Sequence, residues 1–207
     1  MPMCSMSRFY KTGDRGDVVH SRIVSVPRLD TSRLVLLPLE EADAVQVQAL
    51  FPHWEIVRYL AAVVPWPYPP DGAETFIRDI VLPGVARGDQ WNWSIRLKED
   101  PATLIGCIEL KKSDIENRGF WIGRPWQGRG LITEASEAVT DYWFDVLGFP
   151  VLRVTKAMVN MPSRRVSEKN GMRVTGTIER DFVCGRLPAQ RCEITADEWR
   201  QRRRHRR

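Results

Sequence analysis

The sequence predicts a mixed α/β (α+β) domain around a mostly antiparallel central sheet flanked by helices. Three observations predict it. The apolar pattern switches between strand and helix periods in the order strand, helices, three strands, helix, strand, helix, two strands. A glycine-rich turn feeds directly into a long amphipathic helix. The chain has 207 residues, 43% hydrophobic and 28% charged, enough for a core and against disorder of the whole chain.

The elements follow in order. Residues 1–28 are polar and rich in Ser, Gly and Arg, and are expected to be an extension with little regular structure. Residues 31–38 (TSRLVLLP) read as a strand. Apolar residues at helical spacing over 40–60 (Val45, Ala49, Ile56, Tyr59, Leu60) predict a helix that Pro52 splits in two. A proline–aromatic loop fills 63–70, and Asp71 reads as the N-cap of a helix running to about residue 82, before turn residues 83–90. Trp91, Trp93, Ile95 and Leu97 alternate as a half-buried strand; 103–113 and 118–123 are two more. The helix after the glycine turn buries Leu131, Ala135, Ala138, Val139, Tyr142, Trp143 and Val146, with Gly148 as its C′ residue. A strand over 151–159 precedes a short helix with Ser163 at or near its N-cap and Gly171 at C′. Residues 172–183 and 192–199 form a hairpin around a turn at 184–191. The domain is therefore expected over 29–199, with a disordered basic tail over 200–207.

Charge is concentrated at one end. The net charge is +5, yet the last eight residues hold six Arg and no acid, which leaves the other 199 residues at −1. This disfavours a nucleic-acid-covering body and leaves a tail free to touch RNA, a ribosome or an acidic protein. No apolar run is long enough to span a bilayer and the N-terminus lacks a continuous apolar stretch, so a cytoplasmic protein without membrane contact is expected. Cys4, Cys107, Cys184 and Cys192 form no C-x-x-C pair and the histidines are scattered, so no metal is expected and the thiols are read as free.

The stretch with most chemical content is Trp126-Gln127-Gly128-Arg129-Gly130-Leu131-Ile132-Thr133-Glu134-Ala135. Glycines let backbone N–H groups converge, the helix start favours an anion, and Arg129 adds a cation. Taken as residues alone, it fits either a phosphate cradle or a plain strand–turn–helix. The spacing is neither that of a P-loop nor that of a dinucleotide fingerprint.

This loop resembles that of the GNAT acyltransferase superfamily, Q/R-x-x-G-x-G/A: Gln127, Gly128, Arg129 and Gly130 fit, and Ile132 departs at the last slot. The form Trp126 to Ala135 is similar to the Rim-type branch, the ribosomal-protein N-terminal alanine acetyltransferases and their relatives. Residues 29–34 resemble that branch's first strand and 119–123 the strand before the loop. Asn160-Met161-Pro162-Ser163 with the Ser167–Met172 stretch resembles N-x-x-S…E-K-x-G-F, Met172 standing for Phe. The likeness covers roughly residues 29–195.

The resemblance implies a GNAT-like fold with a splayed strand pair that binds acetyl-CoA, here the strands holding 107–110 and 120–123. It implies pantetheine on the open edges of Trp121 and Ile122, and pyrophosphate on the N–H groups of Gln127, Gly128, Arg129, Gly130, Leu131, Ile132 and Thr133. It implies direct acetyl transfer to a primary amine in a ternary complex. The superfamily's Tyr acid falls at Ser167, so Ser163 is the expected donor to the thiolate; as a residue alone it fits a helix cap equally. Asn160 would hold the pantetheine, or is simply a turn residue. Glu109, on one strand face with Cys107, would take the amine proton, or is a solvent-facing charge near Lys111; Glu134 and Glu168 are read as helix-surface charges. Trp54, Trp66 and Tyr68 would form an aromatic acceptor wall, or fill core gaps. The acceptor, a protein N-terminal amine or a small-molecule amine, and the state, monomer or homodimer, stay open. The missing Tyr keeps an alternative in view: a non-catalytic acyl-CoA-binding module recruited to RNA or a protein by its Arg tail.

Overall fold

The computed structural model describes residues 25–205. Most of the expected N-terminal extension and the last two arginines lie outside them. The chain enters irregularly and is tied down where Trp93 Nε1 donates to the Pro27 carbonyl (2.7 Å).

β1 (Leu29–Asp30) and β2 (Leu34–Pro38) begin an antiparallel meander. A 3₁₀ turn (Glu41–Asp43), α1 (Ala44–Leu50) and α2 (Trp54–Val57) follow, broken at Pro52 as the sequence predicts. α3 (Gly72–Phe76) runs through a π-helical turn (Ile77–Val81) into α4 (Leu82–Ala86). The expected turn from residue 83 is thus helical. The π turn closes with the Leu82 N–H on the Ile77 carbonyl. Pro83 then falls in the first turn of a restarted helix, where its missing N–H costs nothing.

β3 (Gln90–Leu97), β4 (Asp100–Lys111) and β5 (Arg118–Ile122) complete the five-stranded sheet, in order β1-β2-β3-β4-β5. β3 is buried on both faces rather than half-buried, because helices cover both sides. Trp91, Trp93 and Ile95 meet α5 (Leu131–Asp141). On the opposite face Arg96 pairs with Asp43 and donates to the Pro101 and Ala102 carbonyls.

α5 passes into a π turn (Tyr142–Val146). The wider turn rotates the apolar face, so Phe144 is buried and Val146, expected inside, is 53% exposed. β6 (Val151–Ala157), α6 (Met161–Lys169), β7 (Arg173–Phe182) and β8 (Gly185–Thr195) follow, in a three-stranded sheet ordered β6-β8-β7. The hairpin turn is tighter than expected: β8 resumes at Gly185 and includes Pro188, which sits just past the last β6 pair, Ala157–Ala189, where no neighbour needs its N–H. Cys107, Cys184 and Cys192 are free thiols.

The tail is not disordered from residue 200. α7 (Ala196–His205) carries it. A Thr195–Glu198 capping box starts this helix: the Glu198 N–H donates to Thr195 Oγ1 (3.3 Å) and the Thr195 N–H to Glu198 Oε2 (2.8 Å). Trp199 is 2% exposed, and Arg203 pairs with Asp141 (2.7 Å) and Asp145 (3.2 Å).

The splayed strand pair is also elsewhere than expected. β4 and β5 pair continuously from Gly106–Ile122 to Leu110–Arg118. The opening lies between β5 and β6, which belong to separate sheets. They are joined at its base, where the Asn117 N–H donates to the Arg153 carbonyl (2.7 Å) and the Arg153 N–H to Asn117 Oδ1 (2.8 Å).

Candidate active site

The opening starts at the end of β5. The Gly123 N–H donates to the Ile105 carbonyl (2.8 Å). Antiparallel pairs alternate inward and outward, so the peptide groups of Trp121 turn toward β4 and those of Ile122 turn toward the opening. A Cβ on Gly106 would stand 2.5 Å from the Trp121 carbonyl oxygen, in agreement. Of the two residues expected on the free edge, Ile122 is there and Trp121 is committed to the ladder. Gln127 Nε2 donates to the Ile122 carbonyl (3.1 Å) and covers that edge.

A 3₁₀ turn (Arg124–Trp126) leads to Gly128 at φ +74 and Gly130 at φ +79, a region that favours glycine. Space beside Gly128 is open for 4 Å. Gly130 caps α5 without any side-chain hydrogen bond, and the first helical bond is the Glu134 N–H on the Gly130 carbonyl (3.2 Å). The N–H groups of Leu131, Ile132 and Thr133 therefore have no intrahelical partner and face out with the positive end of the helix dipole. Ile132, the departure from the motif, is 8% exposed: its side chain packs into the core and leaves the loop clear.

Cations on β5 and β6 are buried beside the opening. Lys156 Nζ lies 4.8 Å from the centre of the Phe120 ring. Burial pushes Lys156 down to about 8, with Arg118 and Arg180 adding to the effect against Glu116. Arg118 is fully buried, held down to about 10 by burial, and bonds Thr140 Oγ1 (2.8 Å). Glu116 pairs with Arg180 (2.7 Å). Sequence reasoning missed this set because a Lys in a strand reads as a surface residue until the second sheet closes over it.

At the wide end, β6 leads into α6. The N-cap is Asn160 and not Ser163: Asn160 Oδ1 accepts from the Ser163 N–H (3.3 Å), and Ser163 is the third helical residue, 8% exposed. One turn on, Ser167 is 2% exposed and its Oγ has no hydrogen-bond partner among the described residues. The two hydroxyls share a helix face.

Glu109 stands on the other face of the sheet. It accepts from Asn92 Nδ2 (3.3 Å) and pairs with Lys111 (3.4 Å). A Cβ on Gly119 would come within 2.7 Å of Glu109 Oε1, so this glycine lets the carboxylate lie over β5. Beside it, burial, then Asp43 and Glu109, push the Cys107 thiol well up and keep it protonated. Trp54 and Trp66, 40% and 42% exposed, meet as a tilted pair with ring centres 5.5 Å apart. Tyr68 instead turns inward onto Phe51 (4.9 Å), which meets Trp121 (5.2 Å). An open groove of about 530 Å³ lined by Leu50, His53, Arg124 and Pro125 lies between the end of α1 and the glycine loop. Among the described residues no cluster suits a metal ion, and no helix is long and apolar enough to cross a membrane.

Comparison with known proteins agrees with this arrangement. The family model described as an acetyltransferase (GNAT) domain matches residues 33–173. A relative from Bacillus subtilis (strain 168), named "Putative ribosomal N-acetyltransferase YdaF", is 32% identical over 108 residues; the match spans 49% of this chain and 58% of that one. Among solved structures, the ribosomal-protein-S5-alanine acetyltransferase of Vibrio fischeri superposes with a TM-score of 0.70 at 14% identity, over 84% of this chain and 98% of that one. The spermidine N-acetyltransferase of Vibrio cholerae, in complex with CoA and spermine, gives 0.68 at 20% identity, over 82% and 99%.

Proposed function

The chain belongs to the GNAT acetyltransferase family, and from that premise we propose that it is an acetyl-CoA-dependent N-acetyltransferase that passes the acetyl group directly to a primary amine. The observation that carries this is the uncapped start of α5 behind two left-handed glycines, beside an opening between two sheets. The residues fit the donor. Outward N–H groups from Gly128 to Thr133 suit its diphosphate. The edge of Ile122 suits an amide-bearing arm, with Gln127 displaced from the carbonyl it covers.

In the reaction the amine nitrogen attacks the thioester carbonyl. The N–C bond forms, the C–S bond breaks, the amine loses a proton and the thiolate gains one. Glu109 is the residue proposed to take the amine proton, directly or through water, from a carboxylate that Asn92 and Lys111 hold in place. Ser163 is proposed to donate a hydrogen bond to the leaving thiolate, with Asn160 fixing the start of α6. A thiol leaves at a pKa of about 8.5 and needs little more than that bond. Cys107 stays protonated, which disfavours an acyl-enzyme and favours a ternary complex.

The acceptor we propose is a protein N-terminal amine. The exposed Trp54–Trp66 pair offers rigid surface to a peptide end. Among the described residues the adjacent groove is lined by Arg124 and by no carboxylate, an arrangement that repels a polyamine. The non-catalytic alternative draws no support from the Arg tail, since Arg200 and Arg203 are paired with Asp145 and Asp141.

The test is thiol release from acetyl-CoA with N-terminal peptides and small amines. The expected result is peptide-dependent release that Ser163→Ala and Glu109→Gln each lower by about tenfold or more. Release that both variants match would remove their roles. CoA binding with no release from any acceptor would remove the transferase.

A further inference from the structure

Two motifs about a hundred residues apart in sequence meet at the glycine loop. One is the turn Thr31-Ser32-Arg33 between β1 and β2, and the other is Glu134 in the first turn of α5. The Glu134 carboxylate accepts four hydrogen bonds, from Thr31 Oγ1 (2.6 Å), Ser32 Oγ (2.9 Å), the Arg33 N–H (2.8 Å) and Arg33 Nε (2.7 Å). Burial pushes this carboxyl up, but the bonds from Thr31, Arg33 and Ser32 outweigh it and hold it down to about 2, so the carboxylate is ionised at neutral pH. It is therefore not the solvated surface charge that its place on the helix predicts.

Arg33 does more than pair. Its Nη1 donates to the Arg129 carbonyl (3.1 Å), which ties the guanidinium to the glycine loop. Its Nη2 makes no hydrogen bond among the described residues and stands 3.7 Å from where a Cβ on Gly130 would be. The guanidinium is thus fixed on two sides and presents its remaining N–H groups beside the converging backbone donors. It also shields a carboxylate. Without the Arg33 side chain, Glu134 would keep its hydrogen bonds from Thr31, Ser32 and the backbone but lose its paired cation, leaving an uncompensated negative charge next to the site proposed for a diphosphate.

Resting on the acetyl-CoA reading above, we propose that Arg33 is a donor-binding residue that contacts the diphosphate, and that it also cancels the charge of Glu134 there. Affinity for the phosphate-bearing half of acetyl-CoA then depends on Arg33, while affinity for the pantetheine half does not. Loss of Arg33 has two parts, a missing donor and an exposed repulsion, and the second part disappears when Glu134 is neutralised as well.

The experiment is calorimetric binding of CoA, 3′-dephospho-CoA and pantetheine to the full chain and to Arg33→Gln, Arg33→Lys and Arg33→Gln/Glu134→Gln, with thermal unfolding as the control for folding. Arg33→Gln is expected to weaken CoA and 3′-dephospho-CoA by on the order of tenfold and to leave pantetheine within about twofold. Arg33→Lys should retain part of the CoA affinity, and the double variant should bind CoA more tightly than Arg33→Gln alone. Equal loss for CoA and pantetheine, or a double variant no better than the single one, would overturn the proposal in favour of a purely structural pair. A loss for CoA that is absent for 3′-dephospho-CoA would overturn the diphosphate assignment. If the unsubstituted chain binds none of the three, the acetyl-CoA reading itself falls; if it binds CoA and Arg33→Gln binds equally well, only this inference does.

Discussion

At the scale of single residues, Lys156 shows how burial changes chemistry. Its amine is lowered from 10.5 to about 8, first by burial. A folded-state pKa below the unfolded one means that the unfolded chain binds more protons between about pH 8 and 10.5, so stability rises with pH across that window. At pH 7 the amine is protonated in both states and the cost of burying it is present in full. Lys156→Met should therefore be more stable than the parent at pH 7, by on the order of 2 kcal/mol, with the gap shrinking toward pH 10. Urea unfolding at pH 7 and pH 9.5 checks this; a gap that stays constant would mean the amine is not desolvated. Several residues were legible from the sequence. Gly128 and Gly130 adopt the left-handed backbone that their pattern requires, and Asn160 and Ser163 lie together at the start of one helix. Which of the two caps the helix was not legible, because Asn and Ser are nearly equal caps and one residue of shift decides between them.

At the scale of elements, α7 is the instructive case. Six Arg in eight residues read as a solvated tail. The capping residues Thr195 and Glu198 precede them, and Asp141 and Asp145 on the α5 side neutralise Arg200 and Arg203. The helix is held by Trp199, whose Nε1 donates to Asp141 Oδ1 (2.7 Å). Trp199→Ala should cost about 3–5 kcal/mol in urea unfolding. A loss below about 1 kcal/mol would mean that α7 does not pack on the body. The capping box was a readable signal; its acidic partners, more than fifty residues upstream, were not. The π turns after α3 and α5 were also unreadable, since an extra residue in a helical turn leaves the composition unchanged and only rotates the buried face.

At the scale of the molecule, one break in the sheet organises everything else. β5 and β6 meet at Asn117 and Arg153 and then part, so the opening is lined on one side by Ile122 and on the other by β6 and the start of α6. The groove with Arg124 lies on the side proposed for the acceptor, where its cation would set a charge preference. Arg124→Glu should raise kcat/KM for spermidine relative to a neutral N-terminal peptide by roughly threefold to tenfold. An unchanged ratio would show that the groove does not select the acceptor.

From residue order alone came the element types, the glycine loop and the family likeness, because period, turn chemistry and loop spacing are local properties of the chain. Where the sheet opens, which face Trp121 commits to β4, and that Arg33 and Glu134 share the loop came from three dimensions. Strand order and contacts across a hundred residues depend on which surfaces bury one another, and no local pattern records that.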